Sequence, residues 1–419
     1  MAIYINMQRS RVKMKVAFFI SEFPSISETF ILNQITGLID RGVEVSVFAS
    51  QLNPTKLVHP EVKKYNLLEK THALNIPKNR PFRWLKFIFL LILAIFRRPQ
   101  LLIIFTQLKR LNKREKLELF FRASVIKDNR FDIIQAHFGP NGRQAVFLRQ
   151  LGLIKGKICV TFHATDLSKL LRVVDGEKYY QPVFEQADLL LPISYFWRRK
   201  LVKLGAKKEK IKVHHMGVDV DEFKFSFREL GKKIKILTVA RLVPKKGINY
   251  GLKALAKIKK DYQFGYKIIG DGSEREKLTK LVKRLKLTKR VKFFGQQTSG
   301  QVEKELRQAN IFLLPSITAP DGDMEGTPVS LMEAMASGLV VVSTQHSGIP
   351  ELIEDGQNGF LVKEKNIDGL AKTLVEIFNC SPDCLTIAKK ARMRVEKDYN
   401  VKKLSQQLYQ YYQSLLRNG

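Results

Sequence analysis

Short apolar runs alternate with amphipathic stretches along nearly the whole chain. Runs at 16–20, 43–49, 131–136, 158–162 and 189–193 have the length of buried strands, and a helical pattern at 29–40 separates the first two. After a polar break around 220–233 the pattern restarts. Runs at 234–240, 263–269, 291–293, 311–314 and 339–343 alternate with helical stretches at 248–259, 273–285 and 329–337. Alternation in two blocks predicts an α/β protein with two facing doubly wound, Rossmann-like domains, each on a mainly parallel sheet. The expected organisation is an extension at 1–13, a first domain at 14–220, a linker at 221–233, a second domain at 234–395 and a tail at 396–419. In the tail Val401, Leu404, Leu408, Tyr411, Tyr412 and Leu415 recur at helical spacing. No strand follows, so this helix is expected to cross back and dock on the first domain.

One stretch departs from the pattern. WLKFIFLLILAIFRRPQLLIIF occupies 84–105, and its longest uncharged run, 87–96, is ten residues. A spanning helix needs about 20, and Arg97-Arg98-Pro99 interrupts this one, so it is not expected to cross a bilayer. Between Arg80 and Arg122 eleven Lys/Arg stand against two Glu. Apolar residues in a basic surround suit the interface of an anionic membrane, with Phe87, Leu90 and Leu91 as the inserting face. A helix pair buried in the first domain is the alternative. The whole chain carries 73 Lys/Arg against 39 Asp/Glu, a net +34. That excess attracts polyanions: a membrane surface, nucleic acid or phosphorylated substrates. A generally basic proteome produces the same number. No RNA-recognition or zinc-finger signature supports nucleic acid. Cys159, Cys380 and Cys384 are too few for a disulfide framework and lack the partners of a zinc site. The first residues have no signal-peptide core, so a cytoplasmic location is expected.

In such sheets ligands bind at the carboxyl ends of strands, and polar clusters fall there. His137 opens HFGPNG, His163 opens HATD, and Arg241 opens RLVPKKG. Gly270-Asp271-Gly272 and Ser347-Gly348-Ile349-Pro350-Glu351 follow later strands. Five such loops, drawn from both blocks, point to a cleft between domains. Arg241 and Lys246, five apart, suit a diphosphate. In DGDMEGTPVSLMEAMASG, Thr327 reads as a helix N-cap, Pro328 as the first helical position and Gly338 as the stop. Glu325 then lies in the loop before the helix and Glu333 on the helix itself. An ordinary capped helix with two solvated acids remains the plainer reading. Asp321-Gly322-Asp323 has the form of a divalent-metal triplet. With two cations already at hand for phosphate, no metal is expected.

Taken together, EGTPVSLMEAM resembles the E-x7-E motif of family 4 glycosyltransferases, which have the GT-B fold. ARLVPKKG resembles the donor-phosphate loop of that family, VTFHATD its strand and His-Gly-x-Asp motif, and HHMGVD its hinge motif. SEFPSISETFILNQI with AHFGPNG is similar to a branch involved in colanic acid and other exopolysaccharides. The resemblance implies retaining transfer of a hexosyl group from a nucleotide sugar, with no metal or other cofactor. It implies His163, Arg241, Lys246 and Glu325 as catalytic residues. Arg241 and Lys246 would bind the diphosphate, and Glu325 with Gly326-Thr327-Pro328 the donor sugar. Glu333 would take the ribose, Gly348 would join the donor site, and His163 would contact the sugar near the reacting centre. His137, Asp166 and Glu28 are acceptor-side candidates. The acceptor expected for this branch is a lipid-linked oligosaccharide, reached from the cytoplasm at the inner face of the cell membrane. A sugar-nucleotide epimerase of the same fold and a non-enzymatic nucleotide-sugar or polyanion-binding subunit are the alternatives. Two departures stand out. Ala164 replaces the usual glycine after the histidine, and Glu22-Phe23-Pro24-Ser25 replaces a glycine-rich loop after the first strand.

Overall fold

The structure is a computed structural model that describes residues 13–25, 28–53, 59–77, 79–108, 111–379 and 383–417. The expected extension, apart from Lys13, and Cys380 lie outside these residues. Strands β1 (Lys15–Phe23), β2 (Glu44–Leu52), β3 (Thr71–Ala73), β4 (Arg130–His137), β5 (Lys155–Phe162) and β6 (Leu189–Pro192) form a first sheet, ordered β3-β2-β1-β4-β5-β6. Strands β7 (Ile234–Val239), β8 (Phe264–Ile269), β9 (Val291–Phe293), β10 (Ile311–Leu313), β11 (Val340–Thr344) and β12 (Phe360–Val362) form a second, ordered β12-β11-β10-β7-β8-β9. All the pairings are parallel. Counted from its own first strand, each sheet has the same order. The winding reverses between β1 and β4 in one and between β7 and β10 in the other. Loops leaving those strands diverge, and ligands of such sheets bind there.

Helices cover the sheets, which is why the strands read as continuous apolar runs rather than alternating ones. Val16 to Ile20 are all fully buried. Edge strand β3 (THA) carries no such run and edge strand β12 (FLV) only three apolar residues, so the apolar pattern does not reveal them.

The last helix, Val401–Arg417, lies across helix Thr29–Ile39 of the first domain, as its apolar spacing requires. Leu408 and Tyr412 are fully buried. The Tyr412 hydroxyl donates to Gln135 Oε1 at 2.7 Å, and Arg41 donates to the Lys402 carbonyl at 3.0 Å. The two chain crossings between domains run side by side. The Val218 amide donates to the Tyr399 carbonyl at 2.9 Å, and the Val401 amide to the Val218 carbonyl at 3.0 Å. A cross-domain contact reinforces the hinge: the Glu351 carboxylate accepts the amides of Tyr195 (2.8 Å) and Phe196 (2.7 Å). Those amides open helix Tyr195–Lys203, where a carboxylate is favoured.

Helix Arg80–Arg97 corrects one expectation. Phe87, Leu90 and Leu91 are the inward face, packed on the first-domain core, with Phe87 against Phe105 and Phe120. Phe82, Leu85, Phe89 and Phe96 point outward instead. Arg122 also turns inward. It is fully buried and donates to the Phe48 carbonyl (3.0 Å) and Asn141 Oδ1 (2.9 Å), with burial pushing it down to about 10. Among the described residues no helix is long and apolar enough to cross a membrane.

Candidate active site

The loops expected to hold the donor are two loops of the second domain. After β7 the chain passes Arg241 and turns through Pro244–Lys246 to Gly247. Gly247 has φ 61°, and a Cβ there would sit 1.9 Å from the Pro315 carbonyl oxygen, so only glycine closes this turn. The turn drives both lysines inward. Lys246 Nζ lies 2.5 Å from Glu325 Oε2, and Lys245 Nζ lies 3.4 Å from Glu325 Oε1. Glu325 is only 5% exposed. Burial would raise its carboxyl, but Lys246 and then Lys245 outweigh that and hold it down to about 2. Burial lowers Lys246 in turn, against the pull of Glu325. Lys245 also holds Asp323 Oδ2 at 3.1 Å and donates to the Met324 carbonyl at 3.2 Å.

The Glu325 backbone is fixed as well. Its amide donates to His346 Nε2 at 3.0 Å, so that nitrogen carries no proton. His346 Nδ1 therefore holds the proton and donates it to Glu364 Oε1 at 2.6 Å. Ser347 Oγ donates to the Glu325 carbonyl at 2.7 Å. These ties turn residues 325–327 toward the end of β11 and correct the expected cap. Helix Val329–Ser337 starts one residue later, with Pro328 as its N-cap, and it does end at Gly338. Thr327 is buried instead under Gly348, where a Cβ would come within 2.8 Å of the Thr327 hydroxyl and 3.0 Å of the Ser194 hydroxyl. The Thr327 hydroxyl has no hydrogen-bond partner among the described residues. Glu333, on the same helix, lines a cleft of about 700 Å³ that runs past residues 297–300 to the first-domain helix Thr29–Ile39. Burial, then the charge of Glu222 across that cleft, raises Glu333 to about 7.

The acceptor-side candidates lie in the first domain. His137 ends β4, and its Nδ1 lies 3.2 Å from His163 Nε2, just past β5. Both rings are buried among Phe18, Phe30 and Phe138. Burial lowers His163 to about 3 and His137 well below its ordinary value, so both imidazoles are neutral. Phe138, at φ 68°, is held in a region non-glycine residues avoid, and its ring lies tilted against that of His163, with centroids 4.3 Å apart. Asp166 Oδ2 accepts the Gly139 amide at 2.7 Å, so this carboxyl caps helix Gly139–Gln150 while its Oδ1 stays buried and unpaired. Burial raises Asp166 to about 8. Glu28 stands before helix Thr29–Ile39, half-buried, raised to about 7 by burial and Glu22 against the opposing charge of Arg241. Arg241 itself is exposed.

The two sides meet. A Cβ on Gly326 would lie 2.5 Å from Ile193 and 3.9 Å from the Ala164 methyl, which brings the His163 loop onto the Glu325 loop. Asp321 pairs with Lys169 at 2.8 Å, the Thr165 hydroxyl donates to Asp323 at 3.1 Å, and Arg172 donates to the Pro320 carbonyl at 3.1 Å. The acidic triplet thus spends its carboxylates on lysines and on the domain contact. Among the described residues no group of three or more His, Cys, Asp or Glu is placed to hold a metal. Another large cavity, about 650 Å³ between Tyr195, Glu351 and Arg394, is not lined by His163, Arg241, Lys246, Glu325 or Glu333. Sequence reasoning missed Lys245 and His346, and it placed Glu351 in a strand-end cluster without its role at the hinge. The first lysine of PKKG was a visible signal, whereas nothing local marks the partners of the other two.

Two facing sheets of this order, with paired lysines and a buried glutamate across a cleft from two neutral histidines, define a glycosyltransferase of the GT-B class. The chain belongs to glycosyltransferase family 4. The Glycosyltransferase Family 4 model matches residues 27–222, and the model for Glycosyl transferases group 1 matches 219–394. The putative colanic acid biosynthesis glycosyltransferase WcaL of Escherichia coli is 38% identical over 96% of this chain and all of its own length. The amylovoran biosynthesis glycosyltransferase AmsK of Erwinia amylovora is 38% identical over 92% of this chain and 96% of its own. Among solved structures, Anabaena HepE in complex with UDP-glucose matches with TM-score 0.70 at 18% identity, over 96% of this chain and 100% of that one. Sucrose-phosphate synthase from Thermosynechococcus elongatus matches with TM-score 0.73 at 17% identity, over 97% and 100%. These two share the fold.

Proposed function

We propose that this glycosyltransferase moves a hexosyl group from a nucleotide sugar to a lipid-linked glycan, with retention and without a metal, during exopolysaccharide or related surface-glycan assembly. It works in the cytoplasm, at the inner face of the cell membrane. The observation that carries the reading is the buried Lys246–Glu325–Lys245 contact beneath the exposed Arg241. Arg241 and Lys246 take the diphosphate, on which negative charge grows as the glycosidic bond breaks. Glu325 and the orphan Thr327 hydroxyl take the donor sugar, and Glu333 takes the ribose diol. A carboxylate held at about 2 with both oxygens on lysines is a poor nucleophile and a poor base. The departing phosphate therefore accepts the acceptor proton on the same face of the sugar. His163, neutral and fixed by His137, bonds a sugar hydroxyl without adding charge. The colanic acid and amylovoran names of the relatives support the pathway class.

The test incubates the protein with a panel of nucleotide sugars, with and without a polyprenyl-diphosphate-linked glycan, in EDTA. We expect product only with acceptor, bearing the donor's anomeric configuration by NMR. Epimerised donor in the absence of acceptor would make the protein an epimerase. Donor binding without turnover on any lipid-linked glycan would make it a binding subunit. Activity lost to EDTA and restored by Mn²⁺ would bring Asp321 and Asp323 into the chemistry.

A further inference from the structure

Of the fifteen large apolar side chains that are exposed among the described residues, eight lie on helix Arg80–Arg97. They include Phe82, Trp84, Leu85, Phe89, Ile92 and Phe96, each about half or more exposed. Their spacing puts them on one arc of the helix, opposite the anchored Phe87, Leu90, Leu91 and Ala94. No charged residue falls within that arc, and the exposed cations Arg80 and Arg97 stand at its two ends. A continuous apolar face of this kind marks a docking surface.

The geometry points to an anionic lipid leaflet as its occupant. This rests on the proposed acceptor being membrane-borne, and it names the surface that meets the membrane. Charge decides against a second copy of the chain. Between Glu69 and Glu115 the sequence holds eleven Lys/Arg and no Asp or Glu. Antiparallel pairing of two such helices would set Arg80 of one against Arg97 of the other with no acid to offset them. Phosphate headgroups supply the missing countercharge. The helix lies in the interface rather than across it, because its inward face is packed on the core. Position agrees. Asn75, just past β3, accepts the Leu52 amide at the end of β2 (2.9 Å), and Lys86 donates to the Leu74 carbonyl at 2.5 Å. These ties hold the first turns of the helix at the carboxyl edge of the sheet, the edge that faces the cleft. A leaflet on this face therefore presents an embedded acceptor near the cleft mouth.

Trp84 makes the idea testable in the unsubstituted chain. It is 58% exposed, and the other tryptophan, Trp197, is 1% exposed. With phosphatidylglycerol/phosphatidylethanolamine vesicles, Trp84 emission should shift to the blue and be quenched by acyl-chain-brominated lipid, and Trp84→Phe should abolish both. The variant Leu85→Glu/Phe89→Glu/Ile92→Glu should stay folded by circular dichroism and lose vesicle partitioning by about tenfold or more. Phosphatidylcholine vesicles should bind the unsubstituted chain far less well. Bound protein with unmoved Trp84 emission, or a folded triple variant that binds undiminished, would overturn the inference. So would a dimer that the triple substitution dissociates, seen by light scattering. Vesicle binding needs neither donor nor acceptor, so failed sugar transfer leaves this test intact.

Discussion

On the second-domain side of the cleft, Lys245, Lys246, Glu325 and Asp323 are packed together in mutual contact, and Glu325 is held at about 2. On the first-domain side, His163 and His137 are driven neutral and Asp166 is raised to about 8. Both sides are deeply buried, so desolvation alone does not separate them. The difference is counterions. Each charge near Glu325 has an opposite charge within a few ångströms, whereas the groups acting on His137 are two more histidines, His163 and His214, and phenylalanine rings flank both His137 and His163. Desolvation wins where no partner exists, and pairing wins where one does. A charged, preorganised side suits a diphosphate on which charge develops, and a neutral side suits hydroxyls that need only hydrogen bonds.

The largest expected effect comes from breaking the charged side. Lys246→Ala should lower kcat by about 10²–10³, the scale of one preorganised electrostatic contact, with a smaller change in donor affinity. Steady-state kinetics at saturating acceptor measures both. Equal loss of affinity with unchanged turnover would mean that Lys246 does not touch the reacting phosphate.

A smaller effect is expected at Lys245, which acts through Glu325. Lys245→Met should lower kcat/KM by about tenfold, and Lys245→Arg should recover most of it. The same variant carries a stability signature. The Glu325 carboxyl is depressed, so its pairing contributes fully above the ordinary value near 4.5 and is lost as pH falls toward about 2. Without Lys245 the depression shrinks, so acid unfolding, followed by circular dichroism, should begin at higher pH. An unchanged acid transition would mean that Lys246 alone sets Glu325.

How much of this was legible beforehand divides along the same physical line. Two doubly wound sheets and the returning tail helix follow from apolar spacing, because burial on both faces leaves a continuous run and burial on one face a helical one. The loops at 241–247 and 325–333 were legible because glycine and proline mark the turns that place them. What escaped was long-range pairing. The cap on helix Val329–Ser337 moved because His346 and Ser347, some twenty positions away, bind the Glu325 backbone. The face of helix Arg80–Arg97 was misassigned because an almost wholly apolar helix has no polar side to betray its outside. Asp166 carries the family's motif, yet its carboxyl is engaged by Gly139 on a neighbouring loop.

The smallest expected effect sharpens the boundary between the two sides. Glu333 lies on the charged domain, but the charge that acts on it across the cleft is that of another acid, Glu222. It should therefore behave like the neutral side and titrate near 7. As a carboxylate it accepts both hydroxyls of a ribose diol, and once protonated it gives up part of that capacity. Donor affinity should accordingly rise as pH climbs through about 7. The ribose is remote from the bond being broken, so the contribution is uniform binding. Glu333→Gln should raise donor KM by about threefold at pH 8, leave kcat unchanged, and flatten the pH dependence. Glu28 is also raised to about 7, and it provides the control. Glu28→Gln should leave the donor-affinity limb in place, because Glu28 stands on the acceptor side. If instead the limb survives Glu333→Gln and vanishes with Glu28→Gln, the titrating carboxyl belongs to the first domain. The ribose would then have to be moved away from Glu333.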